Sequence, residues 1–141
     1  MTSSDRFIRQ ITLKELGAKG QERLLRSRIF VVGAGGLGSP ALTYLAAAGV
    51  KTIAVADCDV VEEVNLHRQI LHAEKNVKVP KAVSAKEGIL RLNSDADVIV
   101  HSTRVDDSNA RSLFTGFDLV LDCTDNFDAR FVLGQVFFDF V

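Results

Sequence analysis

The 141-residue chain has two cysteines, two prolines, one methionine, one tyrosine and no tryptophan. Cys58 and Cys123 are too few and too far apart for a disulfide framework or a Cys-x-x-Cys zinc site, and point to a reducing cytoplasm. Pro40 and Pro80 leave few places where regular structure must break. No run approaches the ~18 apolar residues of a membrane helix. The start, Met1-Thr2-Ser3-Ser4-Asp5-Arg6, lacks the apolar centre of a signal peptide. Surplus charge is missing too: 17 Lys and Arg stand against 18 Asp and Glu, a net charge of −1. That excludes a general attraction to nucleic acid or anionic membrane, but not a local basic site. No internal repeat, low-complexity tract or Pro/Gly/Ser-rich linker interrupts the chain.

The chain does have apolar material for a core, at 47% hydrophobic residues. Its length suits one domain over residues 1–141. Residues 5–27 are charged, with apolar residues at Phe7, Ile8, Ile11, Leu13, Leu16, Leu24 and Leu25. They predict one or two short helices, so that 1–27 forms a helical N-terminal segment covering the domain. Residues 28–33 form a β-branched run ending in Gly33, the pattern of a buried parallel strand. An Ala- and Leu-rich helix over 37–49 should end at Gly49. Further strands are expected at Thr52–Ala56, Val98–Val100 and 119–122. A helix is expected over 81–92, and a shorter one, capped by Ser108 or Asn109, should run to Phe114. The stretch 127–141 should begin as a helix. Strands alternating with helices give an α/β, Rossmann-like fold, a parallel sheet in order 3-2-1-4 with helices on both faces.

Gly33-Ala34-Gly35-Gly36-Leu37-Gly38 matches G-x-G-x-x-G through Gly33, Gly35 and Gly38, between a predicted strand and a predicted helix. The first glycine permits the tight turn, the second lets a phosphate approach the backbone, and the third lets helix and strand pack closely. The helix start then offers free N–H groups to an anion. Asp57 follows the second strand, where a carboxylate can accept hydrogen bonds from ribose hydroxyls. The bland alternative is a tight strand-to-helix turn with no ligand. The loop alone does not choose between NAD, FAD and ATP, and it is not a Walker A loop, since no Gly-Lys-Ser/Thr follows.

Three further clusters lie at strand ends or enter a helix. They are Asp57-Cys58-Asp59-Val60-Val61 with Asn65-Leu66-His67-Arg68-Gln69, then Val79-Pro80-Lys81, then Asp122-Cys123-Thr124-Asp125-Asn126. Arg68 and Lys81 supply two cations suited to a polyphosphate whose charge redistributes during reaction. Asp125 supplies a hard oxygen ligand suited to Mg²⁺. Taken singly, Arg68 could be a surface ion-pair partner, Lys81 a solvated lysine at a helix start, and Asp125 with Asn126 a helix cap.

Arg6-Phe7-Ile8-Arg9-Gln10, the Gly33–Gly38 loop with Gly36, the Asn65–Gln69 run, Pro80-Lys81 and Asp122–Asn126 occur in order between about Arg6 and Arg130. Together they resemble the ThiF/MoeB/HesA family of adenylyltransferases, relatives of ubiquitin-activating enzymes. The resemblance implies ATP and Mg²⁺. It also implies activation of the C-terminal glycine carboxylate of a ubiquitin-like sulfur-carrier protein, with release of pyrophosphate. In that reading Asp57 holds the ribose, and Arg68 and Lys81 bind the phosphates, with Asn65 beside them. Asp125 positions Mg²⁺. Arg9 matches an arginine that reaches the ATP of the neighbouring subunit, so its role implies a homodimer. Neither nucleic acid nor membrane enters as a partner, and catalysis rests on positioning and electrostatics.

Other residues carry less weight. His67 sits between the motif's functional positions and reads as structural. His72 and His101 stand alone, without metal-ligand spacing. Cys58 and Cys123 read as small buried apolar residues, and Asp59 as part of a turn. Family members continue into further strands and often two zinc-binding Cys-x-x-Cys pairs, so this sequence corresponds to the nucleotide-binding part, with no zinc site. The strand at 118–122 should form an apolar edge, and Val132–Phe138 an apolar tail. Both favour oligomerisation through residues 118–141. The sequence leaves two other functions open: an NAD(P)-dependent oxidoreductase domain, or a non-catalytic nucleotide-binding interaction module. The carrier and its pathway (thiamine, molybdopterin or tRNA thiolation) are not named by the sequence.

Overall fold

The computed structural model describes residues 3–125 together with Gly134. Three short N-terminal helices, α1 (Ser3–Arg6), α2 (Ile8–Ile11) and α3 (Gly17–Arg26), precede β1 (Arg28–Val32) and α4 (Gly38–Ala48). Then come β2 (Thr52–Ala56), α5 (Lys81–Leu92), β3 (Asp97–His101), α6 (Ala110–Phe114) and β4 (Leu119–Asp122). Two 3₁₀ turns, Glu63–Asn65 and Glu74–Asn76, lie in the long β2–α5 connection. No helix among the described residues is long and apolar enough to cross a membrane.

The four strands are parallel, in the order β3-β2-β1-β4. This is the predicted Rossmann-like sheet. Side chains alternate across it. Ile29, Val31, Ile53 and Val55 point to one face and pack with Leu42 and Ala46 of α4 and Ala82, Ala85 and Ile89 of α5. Phe30, Val32, Ala54 and Ala56 point to the other, against Ala110 and Phe114 of α6. β2 is buried along its whole length, as a strand covered on both faces must be. β3 and β4 flank the described sheet and are partly exposed, with Leu119 49% exposed.

Four details depart from the sequence reading. The N-terminal segment holds three helices rather than one or two, because the chain leaves helix at Phe7 and again between Ile11 and Gly17. β3 runs from Asp97 to His101, longer than Val98–Val100, its ends carried by pairing with Thr52 and Ala56. Asn109 occupies the N-cap position of α6, but its side chain does not cap the helix. Its Oδ1 accepts the Asp106 N–H at 3.0 Å and its Nδ2 donates to the Arg104 carbonyl. The Ser108 hydroxyl is spent on the Asp106 carboxylate. Finally, Cys58 is exposed and Cys123 half-buried, so neither is the fully buried residue expected. The helix expected to begin at 127 and the apolar tail lie outside the described residues.

The far end of α4 anchors the N-terminal segment. Gly49 closes this helix in the left-handed region, as predicted. Gln10 and Gln21 both donate side-chain N–H groups to the Ala48 carbonyl, and Phe7 is buried beside Gly49. The Ala48 carbonyl, at the helix end where intrahelical partners run out, is thereby satisfied.

Candidate nucleotide-binding site

A cleft of about 810 Å³ opens at the carboxyl ends of β1, β2 and β4. In an open α/β sheet this is where ligands bind, at the point where strand order reverses. Val32 and Ala56 form its floor. Gly33, Gly35, Gly36, Asp57, Arg68, Lys81 and Asp125, all singled out from the sequence, line it.

Local sequence explains the glycine loop. Gly33 has φ +95°, where a side chain is strained, and a Cβ there would meet the Cys123 carbonyl oxygen at 2.8 Å. A Cβ on Gly38 would lie 1.9 Å from the Gly33 carbonyl oxygen, so α4 packs on the loop only because Gly38 has none. Gly38 thus shapes the site from behind and does not line the cleft.

Asp57 holds the loop from the other side. Its Oδ2 accepts the Ala34 N–H at 2.8 Å and its Oδ1 accepts the Asp59 N–H at 2.8 Å. Each carboxylate oxygen keeps capacity for a further donor, such as a ribose hydroxyl. Arg68 is exposed beside Gly36, and its guanidinium lies 3.2 Å from His67 Nε2. His67 Nδ1 lies 2.9 Å from the Val64 carbonyl oxygen, which only accepts. Nδ1 therefore carries the proton and Nε2 accepts from Arg68. His67 is thus a brace for the arginine rather than a base.

Lys81 opens α5 with its side chain 9% exposed, and its Nζ lies 3.1 Å from Asp59 Oδ2. Backbone bonds from Lys81 to Asp59 and from Val61 to Val79 clasp the two segments together. Asp59, left out of the site by the sequence reading, is therefore the partner of its lysine. Its signal was present, since it stands two residues past Asp57 in the same strand-end cluster.

Two selected residues lie away from the cleft. Asn65 turns its side chain to Glu62, at 3.3 Å, and its backbone carbonyl accepts the Arg68 and Gln69 N–H groups. Arg9 is exposed on α2, whose next residue, Gln10, is bonded to the C-terminal end of α4. At 1.5 Å per residue, α4 spans roughly 16 Å. Arg9 is thus at the far end of that helix from the glycine loop and does not line its own cleft.

The sequence reading missed several lining residues. Thr103, Arg104, Val105 and Asp106 follow β3 and border the cleft, and the rule that ligands sit at strand carboxyl ends would have found them. Gln69 is 4% exposed and lines the cleft, and its Oε1 is buried without a hydrogen-bond partner. Cys123 also lines the cleft. Burial, and secondarily the Asp122 carboxylate, pushes its thiol pKa up, which disfavours a nucleophilic thiolate.

The charges in the cleft are mixed. Arg68, Lys81 and Arg104 face Asp57, Asp59, Asp106 and Asp125. A polyphosphate entering this set would add to an acidic excess, so it would need a metal ion as counter-charge. No cluster of three or more His, Cys, Asp or Glu among the described residues is arranged to hold a metal alone. The set suits Mg²⁺ instead, which is commonly held by one or two carboxylates plus the phosphates themselves. Asp125, on the cleft wall, is a carboxylate of the kind that could join such a set.

Comparison with known proteins agrees with this geometry. The ThiF family pattern matches residues 7–139. The SAMP-activating enzyme E1 of Haloferax volcanii is 49% identical over 135 residues, which are 96% of this chain and 50% of that protein. The adenylyltransferase and sulfurtransferase UBA4 of Yarrowia lipolytica is 51% identical over 130 residues, 92% of this chain and 33% of that protein. The chain thus spans between a third and a half of these relatives. Among solved structures, E. coli tRNA N6-threonylcarbamoyladenosine dehydratase, TcdA, in complex with ATP superposes with a TM-score of 0.80 at 33% identity. The match covers 87% of this chain and 50% of that one. With the glycine loop, the strand-end carboxylates and the two cations converging on one cleft, and with the family pattern running through nearly the whole chain, this protein belongs to the ThiF family.

Proposed function

We propose that the cleft binds ATP with Mg²⁺ and supports adenylation of the C-terminal glycine carboxylate of a ubiquitin-like sulfur-carrier protein. The observation that carries this reading is the convergence of Arg68, Lys81 and Asp125 with the glycine loop and Asp57 in one cleft. A site for hydride transfer needs a dinucleotide and no such polyphosphate machinery. Relatives named as adenylyltransferase or as the activating enzyme of a small protein support the same direction.

In this reaction a carboxylate oxygen of the carrier forms a bond to the α-phosphorus of ATP. The bond from that phosphorus to the bridging oxygen breaks, and pyrophosphate leaves with the electron pair. No proton or electron has to be supplied, so the protein's task is to position the reactants and stabilise charge. Asp57 would hold the ribose hydroxyls. Backbone N–H groups at the start of α4 would face the phosphates. Arg68, braced by His67, and Lys81, released from Asp59, would neutralise charge at the phosphates. Asp125 would hold Mg²⁺, which supplies electrostatic neutralisation of the polyphosphate when bound. Asn65 would act near Arg68 through the backbone that places it. Arg9 would serve the cleft of a second subunit, so the working form would be a homodimer, in the cytoplasm.

The test is titration with ATP and with NADH, followed by carrier-dependent exchange of labelled pyrophosphate into ATP. ATP binding with exchange supports the reading. NADH binding without ATP binding overturns it in favour of an oxidoreductase domain, and ATP binding without exchange reduces the chain to a nucleotide-binding module.

A further inference from the structure

Among the described residues, one buried titratable group has no part in the proposed reaction. His72 is 6% exposed and lies directly behind the glycine loop. Its Nε2 is 2.8 Å from the Ala34 carbonyl oxygen and its Nδ1 is 2.9 Å from Ser84 Oγ. A carbonyl only accepts, so Nε2 carries the proton, and Nδ1 accepts the Ser84 hydroxyl. Ala34 is thus gripped at both ends: its N–H is held by Asp57 Oδ2 at 2.8 Å and its carbonyl by His72. Ser84 stands three residues after Lys81 on α5, one turn further along the same buried face. The neighbouring Leu71 N–H donates to Ser39 Oγ in the first turn of α4.

From this chain of contacts we infer that His72 is a positioning residue that fixes the phosphate-binding loop relative to Lys81. The hydrogen bonds run from Asp57 through the Ala34 peptide and the His72 ring to Ser84, in the helix that carries Lys81. A loop whose N–H groups must meet phosphate needs a fixed peptide plane, and neither Gly33 nor Gly35 restrains that plane by itself. The imidazole supplies the restraint from behind, outside the cleft, while staying neutral. Burial holds its pKa below the ordinary value, and the nearby Lys81 charge adds to this, against opposing contributions from the Ala34 carbonyl and Asp57. This role rests on the ATP-binding reading for its functional consequence, but its structural consequence is independent of it.

The test compares His72→Phe, which keeps a planar ring and deletes both hydrogen bonds, with His72→Gln, whose amide can still donate to Ala34. Two readouts are taken on the full chain: ATP affinity by calorimetry and amide hydrogen exchange residue by residue. His72→Phe should weaken ATP binding by about tenfold, the order expected from one misplaced hydrogen-bonded peptide. It should also accelerate exchange in residues 33–38 while β1 and β2 keep their protection. His72→Gln should restore most of both. Wild-type affinity and wild-type loop exchange in His72→Phe would overturn the inference. So would equal losses in the two variants with exchange raised across the whole sheet, which would mark a general packing defect. If the wild-type chain binds no ATP, the functional reading fails, and loop exchange alone decides the role of His72.

Discussion

Lys81 Nζ lies 3.1 Å from Asp59 Oδ2, with the lysine side chain almost enclosed and the aspartate 64% exposed. Both line the cleft, the lysine nearly enclosed in its wall and the aspartate open to solvent. In the proposed reaction the lysine is a cation that an incoming phosphate would take over from the carboxylate. Because Asp59 is well solvated, the pair itself contributes little, about 0.5–1 kcal/mol. Asp59→Asn is expected to lower chemical-denaturation stability by no more than that. Lys81→Met should cost at least about tenfold in ATP affinity with little change in stability. Paired denaturation and calorimetric titrations check both.

The glycine loop gives a sharper contrast. A Cβ on Gly38 would overlap the Gly33 carbonyl oxygen, whereas the nearest atom to a Cβ on Gly36 is Arg68 Nε at 3.6 Å. Gly38→Ala should therefore destabilise by about 1–3 kcal/mol or more, through forced separation of α4 from the loop. Gly36→Ala should change stability by less than about 1 kcal/mol. Urea unfolding of the two variants separates them, and equal losses would contradict the packing described.

The core offers a check on the fold alone. Leu42 is fully buried between the sheet and α5. Leu42→Ala should cost about 2–5 kcal/mol, the range for a cavity left in a packed core. The measurement is the shift in denaturation midpoint at unchanged slope.

Stability should also depend on pH through His72. Its pKa in the folded protein lies below 6.5 because burial penalises the charged ring. Between that folded value and 6.5 the unfolded chain binds more protons. The stabilisation from a neutral His72 is therefore complete above pH 6.5 and is lost as pH falls towards the folded value. Glu87, held low by Asn76 and Lys75, and Asp106, held low by Ser108, act only at lower pH, as carboxylates lose their contributions below about 4.5. The melting temperature should fall between pH 7 and 5 in the wild-type protein, and His72→Gln should flatten that slope.

Much of this architecture is written locally. The strands at Thr52–Ala56 and Leu119–Asp122 and the helix Lys81–Leu92 have the ranges read from the sequence, and the strand order follows. Each is a continuous apolar run or a clear helical period flanked by turn residues. The glycine loop was legible because its chemistry depends on neighbours within six positions. What stayed hidden depends on distant contacts. Asp59 meets Lys81 across 22 positions, and His72 meets Ala34 across 38. Neither pairing leaves a periodic trace. The cap of α6 is legible in position but not in bonding for a related reason: Asn109 sits at the N-cap, but Asp106 and Arg104 take up its side chain, and Asp106 takes up that of Ser108.

The most direct test of the central claim is carrier-dependent pyrophosphate exchange into ATP, measured for the wild-type chain and for Arg68→Ala and Asp125→Ala. The account predicts exchange that requires both carrier and Mg²⁺ and falls by about a hundredfold or more in each variant. Exchange that persists undiminished in both variants, or a wild-type chain that binds ATP yet shows no exchange with any ubiquitin-like carrier, would contradict it.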